Sequence, residues 1–426
     1  MNTHTDPIPR KLKTLLAALS LGLLALGLAS CAAKPGKLVV QAAPETSASP
    51  AGCVGENAKP AIDCAKSPSA AFDQNGRLWA VWTQGETVYV NHSNDLGHTF
   101  SAAVAVNPVA EPVEASGEAR PKIALSKAGA IYVAWTKRLS KPHSGHIRFS
   151  RSLDGGKTFT APVQINSDTS ETAHRFESLA VNDRDYIYLA WIDKRDKVAI
   201  ERSGGGYTGA ALYFTYSSDG GRSFHPEKKI ADHVCECCRL AMKIEAKKFP
   251  VILWRQVFDG QIRDHALTRF TAKDQPGPIQ RISNDHWKLD GCPQHGPALS
   301  ITPQGDYYAA WFTDGDARKG LFVSGSQDHG KTFSPPVGFG HTPQAGHADL
   351  LADGQSVHLT WKEFDGKKTV LLTQYSSDGG LSWSAPHALA ETAGDSDHPA
   401  MLAYQGHHYV AWQTQADGFR LLALGD

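Results

Sequence analysis

One octet decides how this chain folds: Ser152-Leu153-Asp154-Gly155-Gly156-Lys157-Thr158-Phe159. Its pattern, Ser-x-Asp-x-Gly-x-Thr/Ser-aromatic, recurs four more times in the 426 residues, at 93–100, 217–224, 326–333 and 376–383. The Asp side chain can accept hydrogen bonds from nearby backbone N–H groups, the Gly can take a positive φ, and the hydroxyl residue can close the loop. The octet therefore predicts a turn between two antiparallel strands, and five copies predict a repeat protein.

A second repeat lies between the octets and gives the number of units. Apolar and aromatic segments that end in Trp occur seven times, at 78–82, 131–135, 187–191, 251–254, 307–311, 357–361 and 408–412. Around each of them we expect an inner strand, the Trp strand, a third strand and an outer strand, as in 122–125, 131–135, 147–150 and 163–165. The sequence therefore predicts an all-β propeller of seven four-stranded antiparallel blades over residues 51–426. Six blades with an accessory hairpin are the alternative.

The seventh unit has no outer strand of its own. The strand-like segment at 37–41 is expected to supply it and to close the ring, which would leave no exposed sheet edge.

The octets resemble the Asp-box repeats of sialidases and other bacterial-neuraminidase-repeat β-propellers. In that family the Asp box marks the fold and lies on the rim opposite the active site. The resemblance therefore implies structural roles for Asp95, Asp154, Asp219, Asp328 and Asp378. Sialidases also bind the substrate carboxylate with three arginines. By that resemblance a carboxylate clamp would comprise Arg120, Arg175 and Arg239, which precede three consecutive inner strands.

The chain also departs from sialidases. Members of that family have six blades and an Arg-Ile-Pro motif, whereas the first unit here reads Lys66-Ser67-Pro68. No position can be matched to the Tyr nucleophile or to the Asp acid/base. These departures argue against an enzyme; if the chain is one, the resemblance implies an exo-sialidase-like glycoside hydrolase.

The first 50 residues predict export and lipid anchoring. Arg10, Lys11 and Lys13 precede the apolar run 15–28, which is short for a membrane span. The run ends in Leu28-Ala29-Ser30-Cys31, which resembles the bacterial lipobox. It implies a signal peptide at 1–30, lipidation of Cys31 and a tether at 31–50 that includes the closing strand. The expected location is the cell envelope, on the outer membrane facing the periplasm or the surface. A secretory signal with an incidental Cys is the alternative.

Formal charges balance at 43 basic and 43 acidic residues, which argues against a nucleic-acid partner. Besides the membrane, the expected partners are an envelope protein or a glycan.

The cysteines are the remaining residues that point to a function. The predicted cluster comprises Cys235, Cys237 and Cys238, before the fourth inner strand, and Cys292 and His295, before the fifth. Loops that lead into inner strands meet at one mouth of a propeller channel, and thiolates with imidazoles suit a soft metal ion, copper first and zinc otherwise. The sequence therefore predicts a metal site and a role in metal handling or delivery. The single histidines His174, His347 and His398 are interpreted as polar channel residues.

Alternatives to the metal site stay open, and one is redox or catalytic thiol chemistry of the same cysteines. Disulfides could pair Cys53 with Cys64, and Cys292 with Cys235, Cys237 or Cys238, in a protein-interaction scaffold. The arginines could instead serve a glycan-processing or glycan-binding propeller.

Overall fold

The computed structural model describes Cys53 and residues 59–340 and 342–425. The predicted signal peptide, Cys31 and the closing strand at 37–41 lie outside the described residues, so lipidation, the tether and ring closure stay predictions.

Seven antiparallel sheets form the blades of a β-propeller, and within each sheet the strands pair in chain order. Blades 1 to 3 contain β1 (Lys66–Phe72), β2 (Leu78–Gln84), β3 (Thr87–Ser93), β4 (Val104–Ala105), β5 (Lys122–Leu125), β6 (Ile131–Arg138), β7 (Gly145–Ser152), β8 (Val163–Gln164), β9 (His174–Val181), β10 (Ile187–Asp193), β11 (Ala210–Ser217) and β12 (Lys228–Val234). Blades 4 and 5 contain β13 (Ala241–Glu245), β14 (Phe249–Arg255), β15 (His265–Ala272), β16 (Gln275–Pro276), β17 (Gln280–Arg281), β18 (Ala298–Ile301), β19 (Tyr307–Asp314), β20 (Lys319–Ser326) and β21 (Val337–Phe339). Blades 6 and 7 contain β22 (Gly346–Asp353), β23 (Ser356–Phe364), β24 (Thr369–Ser376), β25 (His387–Thr392), β26 (Ala400–Tyr404), β27 (His407–Thr414) and β28 (Gly418–Ala423).

The predicted count of seven blades is confirmed, and the six-blade alternative is wrong. Blade 4 has one extra short strand, β16, while blade 7 has three strands among the described residues. The described helices are α1 (Arg195–Arg202) and two short 3₁₀ turns, Ile62–Cys64 and Asp259–Gln261. Within the described ranges no helix is both long and apolar enough to cross a membrane.

The repeated Trp residues hold the blades together. Each lies on the second strand of its blade and is less than 2 % exposed: Trp82, Trp135, Trp191, Trp254, Trp311, Trp361 and Trp412. Their indole N–H groups still find acceptors, as in Trp135 to Glu111 Oε1 (3.0 Å) and Trp311 to Asp285 Oδ2 (2.7 Å). A buried Trp with a satisfied N–H is a large apolar contact without an unpaired polar group. These residues therefore pack the blades and do not line a binding surface.

The octets form the turns after the third strands, and their hydrogen bonds are local. In the second blade Asp154 Oδ1 accepts from the backbone N–H of Thr158 (3.0 Å), and Asp154 Oδ2 accepts from the Thr158 hydroxyl (2.6 Å). Gly156 has a φ of +79°, and a Cβ there would lie 2.6 Å from Trp79 of the preceding blade. The glycine is therefore required both by the turn and by the contact with the neighbouring blade.

The antiparallel order places the octets on one face of the propeller. In blade 1 the register pairs Phe72 with Leu78 and Leu78 with Ser93, so the first turn and the octet share a face. The loop that leads into each inner strand and the connection between the second and third strands lie on the opposite face. We call this opposite face the mouth face; it includes residues 112–120, 138–144, 235–239, 292–296 and 395–398.

Candidate functional site

Glu118 connects three blades at the centre of the mouth face. It precedes β5 in blade 2 and is 5 % exposed. Its Oε2 atom accepts hydrogen bonds from the backbone N–H groups of Arg239 (2.8 Å) and Gly296 (2.9 Å), which precede the inner strands of blades 4 and 5. Its Oε1 atom accepts from Arg239 Nη1 at 2.9 Å. Because these contacts join loops more than a hundred residues apart, Glu118 fixes the shape of the mouth.

Three histidines stack beside this carboxylate. The ring centroids of His347 and His398 are 3.7 Å apart and those of His295 and His347 are 4.5 Å apart, and Phe312 extends the stack beyond His295 at 4.3 Å. Burial lowers the pKa of His295 to about 4 and that of His347 to about 2, and nearby arginines act in the same direction. Burial and the neighbouring His347 lower the pKa of His398 as well. The stack is therefore neutral at physiological pH.

Each of the three arginines is already paired with a carboxylate. The pairs are Arg120 with Asp397 (3.0 Å), Arg175 with Glu114, and Arg239 with Glu118 (2.9 Å). Arg120 also donates to the carbonyl oxygens of Pro68 (3.1 Å) and Gly117 (3.2 Å), so most of its donors are used. The structure thus places the predicted clamp residues on the mouth face, but their donors bind the protein's own acceptors.

Charged side chains on the inner strands were missed as site residues. Burial, together with Arg120, lowers the pKa of Lys122 on β5, and burial raises the pKa of Glu177 on β9. Glu177 also accepts a hydrogen bond from the Thr136 hydroxyl at 2.6 Å. A shifted pKa of this kind suits proton transfer near neutral pH. The sequence did contain a signal for them, because Lys122 and Glu177 are charged residues within predicted inner strands, which pack at the centre of a propeller.

The three clustered cysteines are buried in an apolar core and do not line an open mouth. Cys235, Cys237 and Cys238 are 0 %, 6 % and 2 % exposed and pack in one cluster with Phe176 and Met242. The Sγ atoms of Cys235 and Cys238 are 3.5 Å apart. Hydrogen bonds from the two neighbouring thiols lower the pKa of Cys235, whereas the hydrogen bond to Cys235 raises the pKa of Cys237 and burial raises that of Cys238.

The other two predicted ligands lie apart from this trio. Cys292 is exposed and lines a cavity of about 250 Å³ with Glu236 and Arg263, and His295 belongs to the histidine stack. The Cys53–Cys64 disulfide is present, with a Cα–Cα distance of 5.2 Å. Cys292 and the three core cysteines are free thiols, so the second disulfide of the alternative interpretation is not formed.

Among the residues that the structure describes, three sets of donors have ligand atoms within 4.8 Å of one another. They are Cys235, Cys237 and Cys238; Glu118, His347 and His398; and Asp168, His174 and Asp193. His174 is fully buried, with Nδ1 at 2.9 Å from the Gly145 carbonyl oxygen and Nε2 at 3.1 Å from Asp168 Oδ2. Its two nitrogens therefore have protein partners, and it connects blades 2 and 3.

Two cavities adjoin on the mouth face. The larger, about 670 Å³, is lined by Glu114, Arg175 and the connection 138–144. The second, about 590 Å³, lies toward Lys66, Gly117 and Asp397, and Ala115 and Ser116 line both. Sequence reasoning missed the connection 138–144 because it considered only the loops that lead into inner strands. The antiparallel strand order also brings the second-to-third connections to this face, which was the signal available.

The chain is similar to solved β-propeller structures of polysaccharide lyases. An ulvan lyase of family PL25 is 12% identical, with 84% of this chain and 91% of that chain covered and a TM-score of 0.54. The polysaccharide lyase Uly1 is 10% identical, with 84% and 89% covered and a TM-score of 0.50. A leech intramolecular trans-sialidase is 10% identical, with 82% of each chain covered and a TM-score of 0.46. No protein-family model and no curated protein matches the chain.

The predicted role in copper handling is wrong. The PL25 ulvan lyase and Uly1, which this chain resembles in fold, are named as polysaccharide lyases, and the five predicted ligands do not come together: three are buried in a core while Cys292 and His295 lie elsewhere. At these identities the likeness shows the fold alone, and the chain is a seven-bladed β-propeller.

Proposed function

We propose that this chain binds and processes acidic glycans in the two adjoining cavities of the mouth face. The observation that carries the proposal is a group of exposed basic side chains around the larger cavity. Arg138, Lys141 and His143 are exposed there and make no salt bridge or side-chain hydrogen bond with another described residue, although Lys141 lies close enough to the Glu171 carboxylate to attract it. Arg120, Arg175 and Arg239, by contrast, are held by carboxylates.

Exposed cations beside a cavity favour an anionic ligand, because a carboxylate or sulfate oxygen would give them charge-assisted hydrogen bonds. The volumes of about 670 and 590 Å³ each fall in the range of sugar-sized ligand sites. Since Ala115 and Ser116 border both cavities, the two could hold neighbouring units of one oligosaccharide. This arrangement suits an extended acidic chain better than a single terminal sugar.

The fold likeness supports a glycan as the ligand, since the PL25 ulvan lyase and Uly1 are named as polysaccharide lyases. The pKa values of Lys122 and Glu177 are shifted toward neutral pH, which suits proton transfer, but neither residue lines either cavity, so the support for turnover is weaker than that for binding. An exo-sialidase is less well supported, because each arginine of the implied clamp would first have to leave its own carboxylate.

The test is a panel of ulvan, polygalacturonate, alginate and sialyllactose, with binding measured by calorimetry and turnover by reducing-end release and by absorbance of unsaturated uronate. The double variant Arg138→Ala/Lys141→Ala should weaken binding of the best ligand by roughly tenfold for each lost charge-assisted contact. Lys157→Ala/Arg222→Ala removes the same charge from two exposed octet residues on the opposite face and should leave binding unchanged. No binding to any acidic glycan, or an equal loss in both double variants, would contradict the proposal.

A further inference from the structure

Cys235 and Cys238 stand in a Cys-x-x-Cys arrangement with their sulfur atoms in contact. Their Sγ atoms are 3.5 Å apart, and both side chains are at most 2 % exposed. A disulfide requires an S–S length of about 2.05 Å, so the atoms need to approach by about 1.5 Å. Cys237 is the poorer partner for Cys238, because adjacent cysteines can pair only in a small strained ring. Cys237 Sγ also lies within 4.8 Å of both sulfur atoms, so the choice of Cys235 with Cys238 rests on their contact at 3.5 Å.

Arg263 contacts Cys235 and stabilises its thiolate form. Its Nη1 atom donates to Cys235 Sγ at 3.3 Å, and its Nε atom donates to the Leu289 carbonyl oxygen at 2.7 Å, which fixes the guanidinium. A cation in contact with a sulfur atom stabilises the thiolate, the nucleophilic form. Arg263 and Glu236 also line the cavity of about 250 Å³ that Cys292 borders. Arg263 therefore contacts both this cavity and Cys235 Sγ.

We propose that Cys235 and Cys238 form a reversible disulfide whose oxidants are small hydroperoxides. Burial of both sulfurs excludes bulky disulfide oxidants, whereas hydrogen peroxide is close to water in size. This site does not depend on the glycan proposal, and either can fail without the other.

The chemistry is balanced by the two thiols and one peroxide. The Cys235 thiolate attacks one oxygen of HOOH, the O–O bond breaks, and the departing hydroxide takes a proton to give water and a Cys235 sulfenic acid. Cys238 then loses its proton and attacks Cys235 Sγ; the S–O bond breaks and a second water leaves. Two thiols are oxidised to one disulfide, and one peroxide is reduced to two waters. A dithiol reductant reverses the change by thiol–disulfide exchange.

Formation of the Cys235–Cys238 disulfide would change the structure next to the centre of the mouth face. Cys238 is bonded to Arg239, whose backbone N–H and guanidinium hold Glu118. Movement of Cys238 Sγ toward Cys235 therefore shifts a residue adjacent to the connection between blades 2, 4 and 5.

The experiment uses the full-length protein, reduced with dithiothreitol, desalted, and treated with hydrogen peroxide while folded. Free thiols are then alkylated and the chain is digested with trypsin. Residues 230–239 are released as one peptide that carries all three cysteines. The expected change is from three alkyl groups to one, on Cys237, with two hydrogens lost, and dithiothreitol added in denaturant should restore three. A peptide that keeps three alkyl groups, or one that forms only sulfinic acid, would overturn the proposal.

Single-residue variants assign the pair. In the Cys237→Ser variant, the 230–239 peptide should carry two alkyl groups before peroxide treatment and none after it, because Cys235 and Cys238 still form the disulfide. Cys238→Ser should not form the disulfide, and should instead accumulate a Cys235 sulfenic acid that dimedone traps when it is added together with denaturant. A cross-link between the peptides 230–239 and 289–318 would show that Cys292 is the partner and would also overturn the proposal. Tryptophan fluorescence checks that each variant is folded.

Discussion

The octet turns and the mouth face lie on opposite faces of the same blades, and they are built in different ways. In the octets, bonds span at most four residues, as between Asp154 and Thr158, and they repeat five times. On the mouth face, bonds join residues far apart in sequence, such as Arg120 and Asp397, which are 277 residues apart, and each occurs once. The repeated face therefore sets the scaffold, while the unrepeated face gives each blade contacts of its own.

The two faces also differ in exposure. Asp154 and Asp219 are exposed and the other octet Asp residues are partly exposed, so their hydrogen bonds replace bonds to solvent and add little net stability. Glu118 is buried and Arg239 is mostly buried, so the loss of one member leaves the other without its partner away from solvent. Single changes should therefore have large effects at the mouth and small effects at the octets.

The largest effect is expected for Glu118→Ala. It removes the acceptor of Arg239 Nη1 and of the backbone N–H groups of Arg239 and Gly296. Breaking a buried ion pair by removing one partner costs about 3–5 kcal/mol of unfolding free energy. Urea denaturation followed by tryptophan fluorescence measures the loss.

Two further variants make this test specific. Glu118→Gln keeps one acceptor oxygen but not the charge, and its loss should be intermediate. Asp154→Asn makes the corresponding change of a carboxylate to an amide in an exposed octet and should cost less than either Glu118 variant. A Glu118→Ala protein as stable as Asp154→Asn would mean that the mouth does not depend on this carboxylate.

The scaffold could be predicted from the sequence because its signals are local and repeated. Ser152, Asp154 and Gly156 of the octet predict the turn, and each Trp strand indicates one blade. Neither signal depends on contacts distant in sequence. The count of seven follows from a pattern that occurs seven times, whatever surrounds each copy.

The candidate site could be predicted only in part, because it depends on which way side chains turn. The sequence places Cys235, Cys237 and Cys238 before an inner strand. It does not show whether their side chains face the channel or the core between blades. Their apolar neighbours Phe176 and Met242 come from two different inner strands. Likewise, the pairing of Arg175 with Glu114 joins residues 61 apart with no repeat to indicate it.

The next effect in size is expected for Gly117→Ala. A Cβ at this position would lie 2.4 Å from the ring of His398, which is itself stacked on His347 and cannot move freely. Overpacking of this kind costs about 1–3 kcal/mol. The matched control is Gly206→Ala, where a Cβ would meet nothing within 4 Å. Equal thermal unfolding midpoints for the two variants would show that the histidine stack adapts and that the mouth is looser than its distances imply.

The smallest effect belongs to the octets and depends on pH. The hydroxyl of Thr158 and its backbone N–H lower the pKa of Asp154, as the equivalent groups lower the pKa of Asp95 to about 2 from 3.8. Because the folded-state pKa is the lower one, this stabilisation is complete above about pH 4 and is lost as the pH falls through about 2. Thr158→Val removes the hydroxyl and should raise the pKa of Asp154, while Thr158→Ser keeps the hydroxyl and should match the wild type. NMR titration of the Asp154 carboxyl measures the shift directly. If the valine and serine variants titrate alike, the Thr158 hydroxyl does not stabilise the turn and its backbone bonds alone hold it. The difference between the octet turns and the mouth face would then rest on the Glu118 variants only.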